Sequence, residues 1–279
     1  MDNLQFTNEA VAGMVTQGVL MMLIPIIMLI IWQVKTHYNI APVVIGAATW
    51  FVFAIVLKIA PAYFLIQADN PVAKAVSGNI WLSFIVAGLL AGVFEETGRF
   101  LALRFVLKKY AHRRTAISYG IGHGGFESIY IGFQTLSLAV VGILLSSGHA
   151  DMILGNNTDE ATISLVASQL QPYANVVFSE CMLGVFERLP AITVHIAFSV
   201  LVFAAVRERR YLHLYPVAVI LHALFDFSIV FYRAGYVSVW VMELGLAVIA
   251  VLIALFTSRI YKKLGEAEQD MNKVEIATG

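Results

Sequence analysis

Four short stretches set ionisable side chains into otherwise apolar sequence: VFEETGRFLALR (93–104), GIGHGGFESIY (120–130), VFERLPAITVH (185–195) and ILHALFDFS (220–228). Besides Arg104 and Tyr130 at the ends of the first two, they hold ten such groups: Glu95, Glu96, Arg99, His123, Glu127, Glu187, Arg188, His195, His222 and Asp226. Carboxylates and imidazoles are the common general acids and bases, and they are also the common nitrogen and oxygen ligands of zinc. Their spacing is helical. Glu95 and Arg99, His123 and Glu127, and His222 and Asp226 are each four apart and share a face. Arg188 and His195 are seven apart, again on one face. Gly120 and Gly124 form a small-xxx-small pair, and Gly122 and Gly125 flank His123. Such glycines serve close helix packing or leave open space beside a ring.

The elements that carry these groups are membrane spans. The chain has 279 residues, 59% hydrophobic and 13% charged, too few charges to coat a soluble domain of that size. Several runs approach the ~20 apolar residues that cross a hydrocarbon core. The alternating ten-residue segments of a transmembrane barrel are absent. The sequence therefore predicts an all-α, polytopic transmembrane helical bundle with spans at 12–33, 41–66, 80–107, 116–146, 184–206, 214–233 and 236–257. Residues 1–265 are expected to form a single integral-membrane domain, and 266–279 a disordered polar cytoplasmic tail. The first run lacks a basic leader and a cleavage site, and reads as a retained helix. Basic clusters (Lys108, Lys109, Arg113 and Arg114; Arg207, Arg209 and Arg210; Arg259, Lys262 and Lys263) alternate with acidic or neutral loops. That pattern puts the N-terminus outside and the C-terminus in the cytoplasm. The segment 161–183, amphipathic and containing Pro172, is expected on the outer membrane surface. A charge at mid-membrane costs about 3 kcal/mol on insertion scales, so these groups are expected to face the bundle interior and find partners there. Net charge is zero, and nothing points to nucleic acid.

With these motifs in view, the chain is similar to a known group of proteins. EETGR resembles the EExxR signature of the CAAX-protease and bacteriocin-processing superfamily of intramembrane peptidases. The histidines in GIGHGGFE and ILHALFD resemble its second and third motifs. HGGFE, FERLPAITVH and HALFD together most resemble the YhfC family, a bacterial branch of glutamic-type intramembrane proteases, over residues 10 to 260. Two positions differ from the superfamily pattern: Asp226 stands where Asn is common, and Tyr119 where prenyl proteases carry Phe. The resemblance implies a multi-pass protease of the bacterial cytoplasmic membrane, embedded in the lipid bilayer, that cuts a membrane protein or peptide. It implies that Glu95 is the general base on water, with Glu96 its neighbouring carboxylate. His123 would hold or polarise the water, and His222 would stabilise the oxyanion together with Asp226. Arg99, Glu127, Glu187, Arg188 and His195 would support them.

Other readings stay open. No cofactor is favoured, but zinc is the chemical alternative, with His123, His195, His222 and a glutamate as ligands. HExxH is absent, because Gly124 follows His123. Taken alone, His195 reads as a helix–helix hydrogen-bond partner, and Glu187 with Arg188 as an ion pair. Lys58 and Glu243 are assigned no role. The sequon Asn156-Asn157-Thr158 has no part in a bacterial reading. A proton-coupled transporter would use similar buried chains, although no inverted repeat is evident. A non-catalytic scaffold is the third class. No oligomeric state is implied.

Overall fold

The computed structural model describes residues 4–155 and 159–278, so the sequon at 156–158 lies outside the described residues. Seven helical stretches are long and apolar enough to cross a membrane: Asn8–Thr36, Ala41–Gln67, Ile80–Val106, Arg114–Ser146, Phe178–Arg207, Arg209–Arg233 and Val239–Gln269. These are the seven expected spans, and they are numbered in that order below. No strand occurs among the described residues. Ile26, Ile27, Ile30 and Ile31 in the first span are exposed, as a lipid-facing stripe requires.

Three spans are not uniform α-helix: the sixth opens with a 3-10 turn at Arg209–Tyr211 and is broken between Leu214–Phe227 and Val230–Arg233. The second contains π-helical stretches at Phe51–Leu57 and Tyr63–Gln67, and the third ends in another at Ala102–Val106. Asn79 starts the third span by accepting from Leu82 N. The segment after the fourth span holds a helix, Glu160–Leu170, whose Asp159 cap accepts from Thr162 N. It continues into a 3-10 turn at Gln171–Tyr173, where Pro172 fits the first positions of a turn. Gly235, at φ 78°, makes the turn between the sixth and seventh spans, a conformation that side-chain-bearing residues rarely adopt. The last helix runs from Val239 to Thr278 and so continues through the polar stretch after 265.

The chain divides into two compact units, residues 1–26 with 128–188 and residues 27–127 with 189–279. In the first unit, Leu4, Phe6, Met14, Ala139, Leu145, Ala174 and Cys181 form the apolar core. Thr7 N donates to Ala174 O, and Phe178 N donates to Glu9 Oε1. In the second unit the core is built on residues 194–206 of the fifth span, with Leu103, Tyr119, Ala218, Leu246 and Ala250 packed against them.

Glycines set the helix spacing in the second unit. A Cβ on Gly122 would lie 1.9 Å from Val43 O, and one on Gly46 2.3 Å from Tyr119 O, so the second and fourth spans meet backbone to backbone. A Cβ on Gly92 would lie 2.5 Å from Val219 O, and one on Gly88 2.6 Å from Ala223 O. That close approach of the third and sixth spans brings His222 beside the glutamates of the third. Gly120 and Gly124 face Ile196 and His195 of the fifth span in the same way. In the second unit these glycines are packing surfaces and do not open a void.

Candidate active site

Eight of the ten residues singled out in the sequence form one buried network in the second unit. Its centre is Glu95, whose two carboxylate oxygens have different surroundings. Oε1 faces Lys58 Nζ at 3.4 Å. Oε2 faces His123 Nε2 at 3.3 Å and His222 Nε2 at 3.9 Å. Glu96 looks the other way round the helix, as the ~100° step between neighbours requires. It accepts from Arg99 Nη1 on both oxygens at 2.7 Å, and its Oε1 lies 2.8 Å from His222 Nδ1. Arg99 Nη2 lies 3.2 Å from His195 Nδ1, and His195 Nε2 lies 2.8 Å from Glu127 Oε2. Asp226 Oδ2 is 3.7 Å from His222 Nε2, and its side chain is 39% exposed, against 6% for Glu95. Asp226 therefore marks the more open side of the cluster. Glu187 and Arg188, in the first unit, pair with each other.

The partners fix the tautomers. A guanidinium only donates, so His195 Nδ1 must accept from Arg99. Its Nε2–H then donates to Glu127. Both His195 nitrogens are thereby committed. His222 Nδ1–H donates to the Glu96 carboxylate, which leaves the Nε2 lone pair of the neutral ring turned toward Glu95 and Asp226. Those contacts, at 3.9 and 3.7 Å, are too long for hydrogen bonds. His123 Nδ1 is buried with no hydrogen-bond partner among the described residues. The rings pack closely: His195 stands 5.0 Å from His123 and 5.3 Å from His222, and Phe198 stacks on His222. Arg99, fully buried, lies 6.0 Å from the Tyr119 and Phe198 ring centroids, which shield its charge from lipid.

Lys58 was not legible as a site residue. Its only signal in the sequence was a lone charge inside FVFAIVLKIAP, a feature that snorkelling also explains.

The donor set suits a metal ion. Glu95, His195 and His222 each offer a ligand atom within 4.8 Å of the others. Hydrogen bonds already engage both nitrogens of His195, and His123 Nε2, 3.3 Å from Glu95 Oε2, is a further imidazole donor beside that carboxylate. Zinc with bonds of about 2.0–2.1 Å in a tetrahedron sets its ligands roughly 3.3–3.4 Å apart. The His123–Glu95 separation matches that edge, and His222 is about half an ångström further out. The Glu96 carboxylate behind His222 is the outer partner that ligating histidines ordinarily have.

The class these features define is a polytopic membrane protein with a buried glutamate–histidine centre. The family model described as YhfC intramembrane metalloprotease matches residues 20–246, and the chain belongs to that family. One relative is the uncharacterized membrane protein YhfC of Bacillus subtilis (strain 168). It is 34% identical over 248 residues, which cover 88% of this chain and 94% of the relative. No solved structure matches.

Proposed function

We propose that this chain hydrolyses peptide bonds of a membrane protein or peptide at the Glu95–His123–His222 centre, with zinc as its cofactor. The observation that carries the proposal is the convergence of two imidazole Nε2 atoms on one oxygen of Glu95, at 3.3 and 3.9 Å, in a buried site. The family description, a metalloprotease, supports a metal over the metal-free glutamate chemistry expected from the sequence. Glu95, His123 and His222 would hold the ion. When bound, zinc lowers the pKa of water toward neutrality and polarises the peptide carbonyl. Asp226, the carboxylate on the open side, takes the proton from the attacking water and returns it to the leaving nitrogen as the C–N bond breaks. Glu96 holds His222 in its tautomer, and Arg99 ties Glu96 to His195 and Glu127, so the rings cannot turn away. The scissile peptide must be extended to present its carbonyl, so the substrate helix has to unwind locally.

A second reading keeps the site metal-free, with Glu95 as general base. Lys58 favours it, because that carboxylate already has a cation at 3.4 Å. Kinship with the CAAX-protease and bacteriocin-processing superfamily rests on EETGR and belongs to this second reading. Elemental analysis separates the two. Purified protein should carry one zinc per chain. Chelator should abolish cleavage and zinc should restore it, while His123→Ala and His222→Ala should lose the ion. Full cleavage by metal-free protein would leave the glutamate mechanism standing instead.

The proposed setting is a bacterial cytoplasmic membrane, with the N-terminus outside and the basic loops inside. A cysteine placed at Gly148, in a Cys181→Ser background, should react with an impermeant thiol reagent from outside only. Labelling from the cytoplasmic side would invert this topology.

A further inference from the structure

We propose that Lys58 is a positioning residue of the reaction centre: its ammonium holds Oε1 of Glu95 so that Oε2 stays turned toward His123 and His222. The inference rests on the peptidase reading above and adds a residue that the motifs do not contain.

Three observations carry it. First, Lys58 Nζ meets one carboxylate among the described residues, Glu95 Oε1 at 3.4 Å, while the imidazoles stand on the opposite oxygen. The terminal torsion of a glutamate is broad, so without such a tether the carboxylate plane can rotate until neither oxygen faces the two imidazoles. Second, the backbone delivers Lys58 by an unusual route. It lies between the π-helical stretches Phe51–Leu57 and Tyr63–Gln67, with Pro61 in the turn between them. A π turn closes its hydrogen bond one residue later than an α turn, so the residues after it are rotated by about 100°. Such turns are uncommon and concentrate at functional sites. Third, the π stretch is docked against the span that carries Glu95. A Cβ on Gly98 would lie 2.5 Å from Phe53 Cγ, so the ring seats where Gly98 lacks a side chain, within one turn of Glu95. A lysine needed only for solubility would extend toward the interface. This one, 25% exposed, turns inward to a carboxylate that is 6% exposed.

The test uses the full chain in lipid nanodiscs. The probes are a quenched-fluorescence peptide, apolar with a glycine-rich centre and long enough to span the bilayer, and zinc alone in equilibrium dialysis. Loss of an outer partner of a ligating group ordinarily costs about 10–100-fold in metal affinity or activity. Lys58→Met should therefore lower kcat by about 10–100-fold with KM unchanged, and weaken zinc binding by a similar factor. Lys58→Arg, which keeps the cation, should recover most of both. In a Glu95→Gln background, Lys58→Met should change zinc affinity no further, because the carboxylate it orients is gone. Wild-type kcat and zinc affinity in Lys58→Met would overturn the inference, as would an undiminished effect in the Glu95→Gln background. If the unmutated chain cleaves without zinc, kcat and the arginine rescue decide alone. An unmutated chain that neither cleaves the peptide nor takes up zinc would instead sink the peptidase reading on which the inference rests.

Discussion

Glu95→Gln is expected to lower peptide cleavage by about 10²–10⁴-fold, by weakening the hold on the ion or, at a metal-free site, by removing a positioned proton-transfer group, for which this is the ordinary range. The carboxylate is where the network converges: Lys58 on one oxygen, His123 and His222 on the other. The amide keeps its shape and can still accept from Lys58, so the helices should stay packed. It loses the negative charge that either holds a metal ion or accepts a proton from water. The effect should thus exceed that of Lys58→Met, which removes only the tether. The check is turnover of the membrane-spanning peptide, alongside a thermal melt that shows the variant folded. Wild-type turnover in a folded Glu95→Gln protein would remove this residue from the chemistry.

Arg99→Met is expected to destabilise the fold by about 3–5 kcal/mol, the penalty for stripping one partner from a buried ion pair. Arg99 and Glu96 are both fully buried. Without the guanidinium, Glu96 keeps only the His222 Nδ1–H, and His195 Nδ1 loses its donor. The variant with Glu96→Gln added should regain part of the loss, since no unpaired charge is then left in an apolar interior. Denaturation in mixed micelles by increasing SDS reads both differences. Equal stability of Arg99→Met and the unmutated protein would mean that the pair is not buried as described.

Much of this was legible in the sequence, for specific physical reasons. Apolar runs of membrane-crossing length give an unambiguous signal, and all seven appear as helices, with ends displaced by up to six residues except in the seventh, which runs on from the expected 257 to Gln269. The four-residue spacing in HGGFE and HALFD put each pair on one face, and in the structure Glu127 reaches His195 while Asp226 lies near its own His222. Which nitrogen each ring offers was not legible, because that depends on partners from other helices. His195 shows the consequence: as an imidazole it was a metal-ligand candidate, and the structure does set it with Glu95 and His222, while Arg99 and Glu127 already stand on its two nitrogens. The glycines around His123 were ambiguous between packing and open space, and only the facing Val43 carbonyl decides for packing at Gly122. The π turns of the second span were invisible, since FVFAIVL and YFLIQ have the composition of any apolar helix. Lys58 was missed with them, because its direction depends on that rotation.

The proposed activity stands on one step, the attack of water on a peptide bond at the buried glutamate–histidine centre. Mass spectrometry of products formed in H₂¹⁸O reads that step itself, with the purified chain, supplied with zinc, acting on a bilayer-spanning peptide. One new C-terminus within the apolar segment, carrying a single ¹⁸O from the solvent, is expected from the unmutated protein and not from Glu95→Gln. An intact peptide in both samples would contradict the proposed hydrolysis, as would the same labelled fragment at the same rate from Glu95→Gln.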